Sequence, residues 1–286
     1  MQSLWKRYSH QNIIHSVHVL NPDAEKLIVF FPGWLSAEST WRYVLPELSK
    51  DFRVDYFESR EKPSAQPGQR ASARRKSNKI GCQTFQAHGD DALHYLNSLG
   101  EKDYYVVAAS VGASVYLSIV DKLNKKPEGQ ILISPSVCSP TSKVSGPLAM
   151  LFEVLQRSPT WMLYFLRPIF LAVIRGLATD KDAYQVTAAV QSLAAANLSR
   201  VTASARQLLS FELDLAAISK VAVPTLTIAA SQDNAHNIQD AKSIHHCFSN
   251  SSLFFFDTFT HTHSSLCARK ILGWIHEMHP TAKDES

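Results

Sequence analysis

The stretch Tyr104-Tyr105-Val106-Val107-Ala108-Ala109-Ser110-Val111-Gly112-Ala113-Ser114 limits the folds open to this chain more than any other. β-prone residues run through two alanines into a serine and a glycine, and helix-compatible sequence follows at once. A serine so placed predicts a very tight strand-to-helix turn, the layout of a nucleophile elbow. Such a turn needs small residues two before and two after the serine, here Ala108 and Gly112, because larger side chains collide across it. The strain holds the hydroxyl out at the carboxyl end of the strand. The helix behind it directs backbone N–H groups and the positive end of its dipole toward any anion formed there.

Strand and helix patterns alternate on both sides of this stretch. Residues 15–20 and 26–31 read as strands separated by the turn Asn21-Pro22-Asp23, and the second is almost wholly apolar, as a central strand covered on both faces must be. It runs into Pro32-Gly33-Trp34, where a glycine lets the backbone turn sharply. A helix over 41–49 capped by Ser39 or Thr40, a strand over 52–57, a helix over 85–99 stopped by Gly100 and a strand over 130–135 follow. The chain closes with strands over 225–230 and 253–256 and a helix over 268–278.

Between Cys138 and Lys220 no strand pattern is found, while apolar residues recur at helical spacing, as in Leu148, Leu151, Phe152 and Leu155 and again in Trp161, Phe165, Ile169 and Val173. The expected fold class is therefore α/β: a doubly wound, mainly parallel sheet with a helical cap inserted late in it. Residues 1–137 and 221–286 form the core and 138–220 the cap.

A formal net charge of +4 over 286 residues does not call for nucleic acid, and none is expected as a partner. The run Arg74-Arg75-Lys76 lies in a loop rich in Pro, Gly, Gln and Ser, and its basic part, 69–79, reads as solvated surface. Cys82, Cys138, Cys247 and Cys267 are scattered without CxxC pairing, which fits buried thiols in a reducing compartment. Residues 1–20 contain no continuous apolar run of the kind a secretory leader has, so a cytoplasmic location is expected. The most apolar window, 161–178, is interrupted by Arg167, Pro168 and Arg175. Each arginine at mid-membrane costs roughly 2.5–3.5 kcal/mol on insertion scales, so buried or interfacial helices are expected there.

A serine hydroxyl is a weak nucleophile until a base takes its proton, and the base needs a third group to hold its tautomer. Asp233 follows the strand over 225–230, and His261 and His263 follow the strand over 253–256. Both places are at strand carboxyl ends, where ligands of open α/β sheets collect, and the chain order Ser, Asp, His belongs with an elbow serine. His236, His245 and His246 lack the matching Cys or carboxylate spacing of a metal site, so neither metal nor cofactor is expected. Asp90 and Asp91 read as capping or salt-bridging residues and Ser114 as structural.

From about residue 28 to 275 the chain resembles the α/β-hydrolase superfamily, more narrowly its capped, esterase- and lipase-like branch. Phe31-Pro32-Gly33-Trp34 followed by Trp41-Arg42 resembles that family's oxyanion loop, with Pro32 where histidine is usual. Glu58-Ser59-Arg60 resembles its Asp-x-Arg-Gly turn, with Glu61 at the glycine position, and Ala108 replaces the first glycine of GxSxG. Val223-Pro224-Thr225-Leu226 is similar to the family's approach to its acid. The resemblance implies Ser110 as nucleophile, Asp233 as acid, His261 as base with His263 as the alternative, and an oxyanion hole from the N–H groups of Trp34 and Val111. His261 is favoured because it follows the last strand by the family's usual turn length. The implied activity is a carboxylesterase acting on a small lipophilic ester or thioester, bound by apolar cap residues such as Trp161 and Phe165. A thioesterase, a lipase or a carbon–carbon bond hydrolase would use the same machinery. A hydrolase-fold binding protein without turnover is the rival suggested by Ala108, Pro32 and Glu61, and peripheral membrane contact through the cap is compatible with either.

Overall fold

The computed structural model describes residues 2–67, 83–138, 196–207, 211–233 and 236–278, with scattered positions between 157 and 193. Strands β1 (Ser3–His10) and β2 (Ile13–Leu20) form a hairpin. Gln11 and Asn12, at φ of 46° and 61°, supply the two left-handed residues that a type I′ turn requires. The strand over 3–10 was not expected; its residues are nearly all exposed and carry no buried alternation to read.

β3 (Leu27–Phe31), β4 (Arg53–Phe57), β6 (Tyr104–Ala109), β7 (Gly129–Ile133), β8 (Thr225–Gln232) and β9 (Ser251–Thr258) make a parallel block, and the two-residue β5 (Gln66–Pro67) pairs with β2. The sheet runs β1-β2-β4-β3-β6-β7-β8-β9, with β2 antiparallel to β4. The expected doubly wound, mainly parallel sheet is what forms. Pleat alternation divides the core between its faces. Leu27, Val29 and Phe31 of β3 and Tyr104, Val106 and Ala108 of β6 bury on one face, and Ile28, Phe30, Tyr105, Val107 and Ala109 on the other. Helices α2 (Phe85–Asn97) and α3 (Val111–Leu117) cover the first face. The short α1 (Leu45–Leu48) and the C-terminal helix Ser265–Met278 cover the second.

The helix expected over 41–49 is split into a 3-10 turn, Glu38–Trp41, and α1, which has Pro46 in its first turn. The proline presets φ for a helix start but donates no hydrogen bond. Of the expected cap, most residues lie outside the described ones, as does the basic loop 69–79. The described part includes helix Leu198–Gln207. That helix rests on the core through Arg200 Nη1 donating to Lys62 O (2.6 Å) and Gln207 Oε1 accepting from Gln83 N (2.9 Å). No described helix is long and apolar enough to cross a membrane.

Candidate active site

Ser110 closes β6 at φ 50°, ψ −127°, a region that non-glycine residues reach only when their surroundings hold them there. Its N–H donates to Ile133 O at 2.8 Å, and its carbonyl accepts from Ala113 and Ser114 as α3 begins. The serine is thus clamped between the neighbouring strand and the helix behind it. The small-residue rule holds for a more specific reason than collision across the turn. A Cβ on Gly112 would lie 2.3 Å from Pro32 O and 2.8 Å from Phe31 O, so the loop after β3 passes directly over the first turn of α3. Gly33 also approaches the elbow, less tightly: a Cβ there would sit 3.2 Å from Ser110 Cβ. At the first position Ala108 is fully buried, and the alanine is accommodated.

These contacts bring Trp34 and Val111 to the same wall, where with Pro32, Gly112, Glu61 and His88 they line a cavity of about 30 Å³. The Trp34 indole N–H donates to Ser204 Oγ (2.8 Å), tying the loop to the helix Leu198–Gln207. Leu35 follows at φ 60°, and Ser36 N donates to Gly33 O (3.1 Å), so residues 33–36 form a tight turn with a left-handed leucine.

Asp233 follows β8 directly. Its Oδ1 accepts from the backbone N–H of His236 (3.1 Å), folding the turn, while Oδ2 meets His236 Nδ1 at 2.8 Å. His236 Nε2 in turn lies 2.8 Å from Ser110 Oγ. An acid, an imidazole and a serine therefore form one continuous relay. The Asp233 side chain is 2% exposed and that of His236 15%, and the imidazole ring stacks near-parallel on Phe259. Burial alone would push the His236 imidazole down; the Asp233 carboxylate, by charge and hydrogen bond, and Asp240 outweigh it and raise it above its ordinary value.

The histidine beside Ser110 is therefore not the His261 or His263 expected from sequence. His261 sits in the short helix Phe259–Thr262 with its ring 6.0 Å from that of Phe256, and His236 occupies the place beside Ser110. His263 is buried, stacked on Trp41 at 4.3 Å, with Nδ1 2.9 Å from Thr262 Oγ1, and burial lowers it to about 4. The reason is local. An aspartate that caps its own turn returns the chain three residues later, and the third residue is a histidine whose ring reaches the elbow. The aspartate and the histidine that meet Ser110 stand only three residues apart in sequence.

The solved structures that match in three dimensions include a hydrolase from Pseudomonas aeruginosa PA01 (TM-score 0.68, 16% identity, covering 97% of this chain and 98% of that one). Another is a thermophilic esterase from Thermogutta terrifontis (TM-score 0.70, 16% identity, covering 98% and 100%). An enol-lactonase from Burkholderia xenovorans LB400 also matches (TM-score 0.68, 12% identity, covering 96% and 99%). The chain has the α/β-hydrolase fold. By sequence, no family model and no curated protein matches it.

Within that fold, the Asp-x-Arg-Gly-like turn is built around Arg60, which is 1% exposed and donates through Nε to Asp91 Oδ2 (2.7 Å) and through Nη2 to Ala87 O (2.9 Å). Asp91 is thus the salt-bridging residue it was expected to be. Glu61, at the glycine position of that turn, is buried between Lys62 Nζ (3.3 Å from Oε1) and His88 Nδ1 (3.7 Å from Oε2). Trp161 and Phe165 are 67% and 78% exposed and pack edge to face on each other; neither lines the cavity beneath Trp34. Among the described residues no group of three or more His, Cys, Asp or Glu is arranged to hold a metal.

Proposed function

We propose that this protein is a serine hydrolase, a carboxylesterase that cleaves a lipophilic carboxylic ester through an acyl-enzyme on Ser110. The observation that carries this reading is the Asp233–His236–Ser110 relay, with 2.8 Å at each side-chain step, on a serine held in strained backbone geometry. His236 Nε2 takes the proton as Ser110 Oγ attacks the carbonyl carbon, and Asp233 fixes the tautomer and stabilises the imidazolium. The tetrahedral oxyanion is held by the N–H groups of Trp34 and Val111. His236 then returns the proton to the leaving alcohol, and water, activated by the same histidine, cleaves the acyl-enzyme. The lipophilic preference rests on the apolar composition of the segment 138–220 in the sequence, not on any described contact of Trp161 or Phe165 with the cavity. A thioester or a carbon–carbon bond would engage the same groups.

Hydrolysis of p-nitrophenyl esters of increasing acyl length by the wild type and by Ser110→Ala, His236→Ala, His261→Ala and His263→Ala tests the assignment. The Ser110 and His236 variants are expected to lose at least about 10³-fold in kcat, and His261→Ala to stay within a few-fold of wild type. Retained activity in His236→Ala with loss in His261→Ala or His263→Ala would return the base to the last loop. A folded wild type that turns over no ester and takes no fluorophosphonate label on Ser110 would favour a binding protein on the hydrolase fold.

A further inference from the structure

Lys62 is a buried cation away from the relay, only 5% exposed, and its ammonium group is spent on backbone. Nζ donates to Ser36 O at 2.8 Å and to Gly33 O at 3.3 Å, the two ends of the turn that contains Trp34 and Leu35. The Glu61 carboxylate lies 3.3 Å from it, the Glu58 carboxyl also feels its charge, and its own carbonyl accepts from Arg200 of the helix Leu198–Gln207. Burying a lysine is costly unless its charge is answered, so this placement needs a reason beyond packing.

From this geometry we infer that Lys62 is a positioning residue for the oxyanion hole; the inference rests on the serine hydrolase reading for its role in turnover, while its structural half stands without it. In a trans peptide the carbonyl and the following N–H point in opposite directions. The Gly33 carbonyl belongs to the same peptide plane as the Trp34 N–H. Fixing Gly33 O from one side, by Lys62 Nζ and by Ser36 N, therefore aims the Trp34 N–H to the other, and Gly33 stands directly against Ser110. The positive charge also polarises that peptide and makes its N–H the stronger donor. Leu35 at φ 60° supplies the independent sign of strain, since a leucine remains left-handed only where its surroundings over-determine it, and the second bond, to Ser36 O, closes the turn around it. Glu61, where the related turn has glycine, keeps the ammonium charge compensated, which accounts for that departure in sequence.

The test compares the wild type with Lys62→Met, Lys62→Gln and Lys62→Arg in ester hydrolysis and in solution NMR of protein labelled with [15N]tryptophan. Five tryptophans give five backbone amide signals, and that of Trp34 is identified by its absence in Trp34→Phe. Lys62→Met is expected to displace or broaden the Trp34 amide while the other four stay. It should lower kcat about 10- to 100-fold, less than outright removal of an oxyanion donor, with KM within about 3-fold. Lys62→Arg, which retains charge and donors, should recover part of the loss. Should Lys62→Met fail to fold, Lys62→Gln, which keeps one donor group, carries the same comparison. A folded Met or Gln variant with an unmoved Trp34 amide and unchanged kcat overturns the inference, and so does a loss confined to KM. If the amide moves but the wild type hydrolyses no ester, the positioning stands and it is the serine hydrolase reading that fails.

Discussion

On the serine hydrolase reading proposed above, His236 accepts the serine proton only while its imidazole is neutral, so its environment sets the acid side of the pH profile. Asp233 and Asp240 raise it above its ordinary value of 6.5 in spite of burial. For a general base the sign is fixed: kcat/KM should fall as pH drops through a midpoint above 6.5, and Asp233→Asn should cut kcat by up to about 10⁴-fold, mainly by releasing the tautomer. A profile of kcat/KM against pH checks this, and a midpoint near 4, the value to which burial lowers His263, would point to the buried histidine instead. The sequence showed the serine because its small neighbours are a steric necessity, and it showed the aspartate because the residue stands at the end of an apolar strand. It did not single out His236 as base. Placement at a strand end and the resemblance's usual turn length favoured a histidine after the last strand, and the signal that was present, a turn-capping aspartate three residues ahead of a histidine, is commonplace in loops that do no chemistry.

At the scale of elements, the close approach of the loop after β3 to α3 makes the site. Gly112 is required there because a Cβ would meet backbone carbonyl oxygens at 2.3 and 2.8 Å, and backbone cannot rotate away as a side chain can. Gly112→Ala should therefore destabilise the fold by about 1–3 kcal/mol, as overpacked sites do, and lower kcat by displacing Trp34. Gly273, in the helix Ser265–Met278 with nothing within 4 Å of an added methyl group, is the contrasting case. Gly273→Ala should leave activity unchanged and stabilise by roughly 0.5–1 kcal/mol from helix propensity alone. Urea unfolding followed by circular dichroism, with ester turnover on the same samples, reads both variants. Equal effects of the two substitutions would mean that the loop yields to the helix. Apolar strands such as Leu27–Phe31 were legible because burial on both faces leaves no polar position to confuse. Ser3–His10 was not, because an exposed edge strand is selected by pairing with β2, which no local pattern records.

Across the whole molecule, the buried pair of Arg60 and Asp91 joins the loop after β4 to α2, and through the adjoining Glu61 and Lys62 it reaches the turn that contains Trp34. Burial pushes the Asp91 carboxyl up, but His15, with Nε2 3.3 Å away, and Arg60 more than offset this and hold it below its ordinary value of 3.8. A carboxylate depressed in the folded state contributes stability that is present in full above its unfolded value and is lost as pH falls through the folded one. The pair should therefore stabilise the protein at neutral pH and weaken below about pH 3.8. Asp91→Ala removes the carboxylate that pairs with the buried guanidinium and should cost about 3–5 kcal/mol at pH 7, whereas Arg60→Met combined with Asp91→Leu, which removes both charges, should recover most of that loss. Urea titrations of the wild type, the single variant and the double variant at pH 7 and again at pH 3 separate the possibilities. The single variant should lie well below the other two at pH 7, and its gap to wild type should narrow at pH 3, below the ordinary value of 3.8, where the unfolded chain takes up a proton that the native Asp91 resists. A gap that is the same at both pH values would show that Asp91 acts by packing and not by charge.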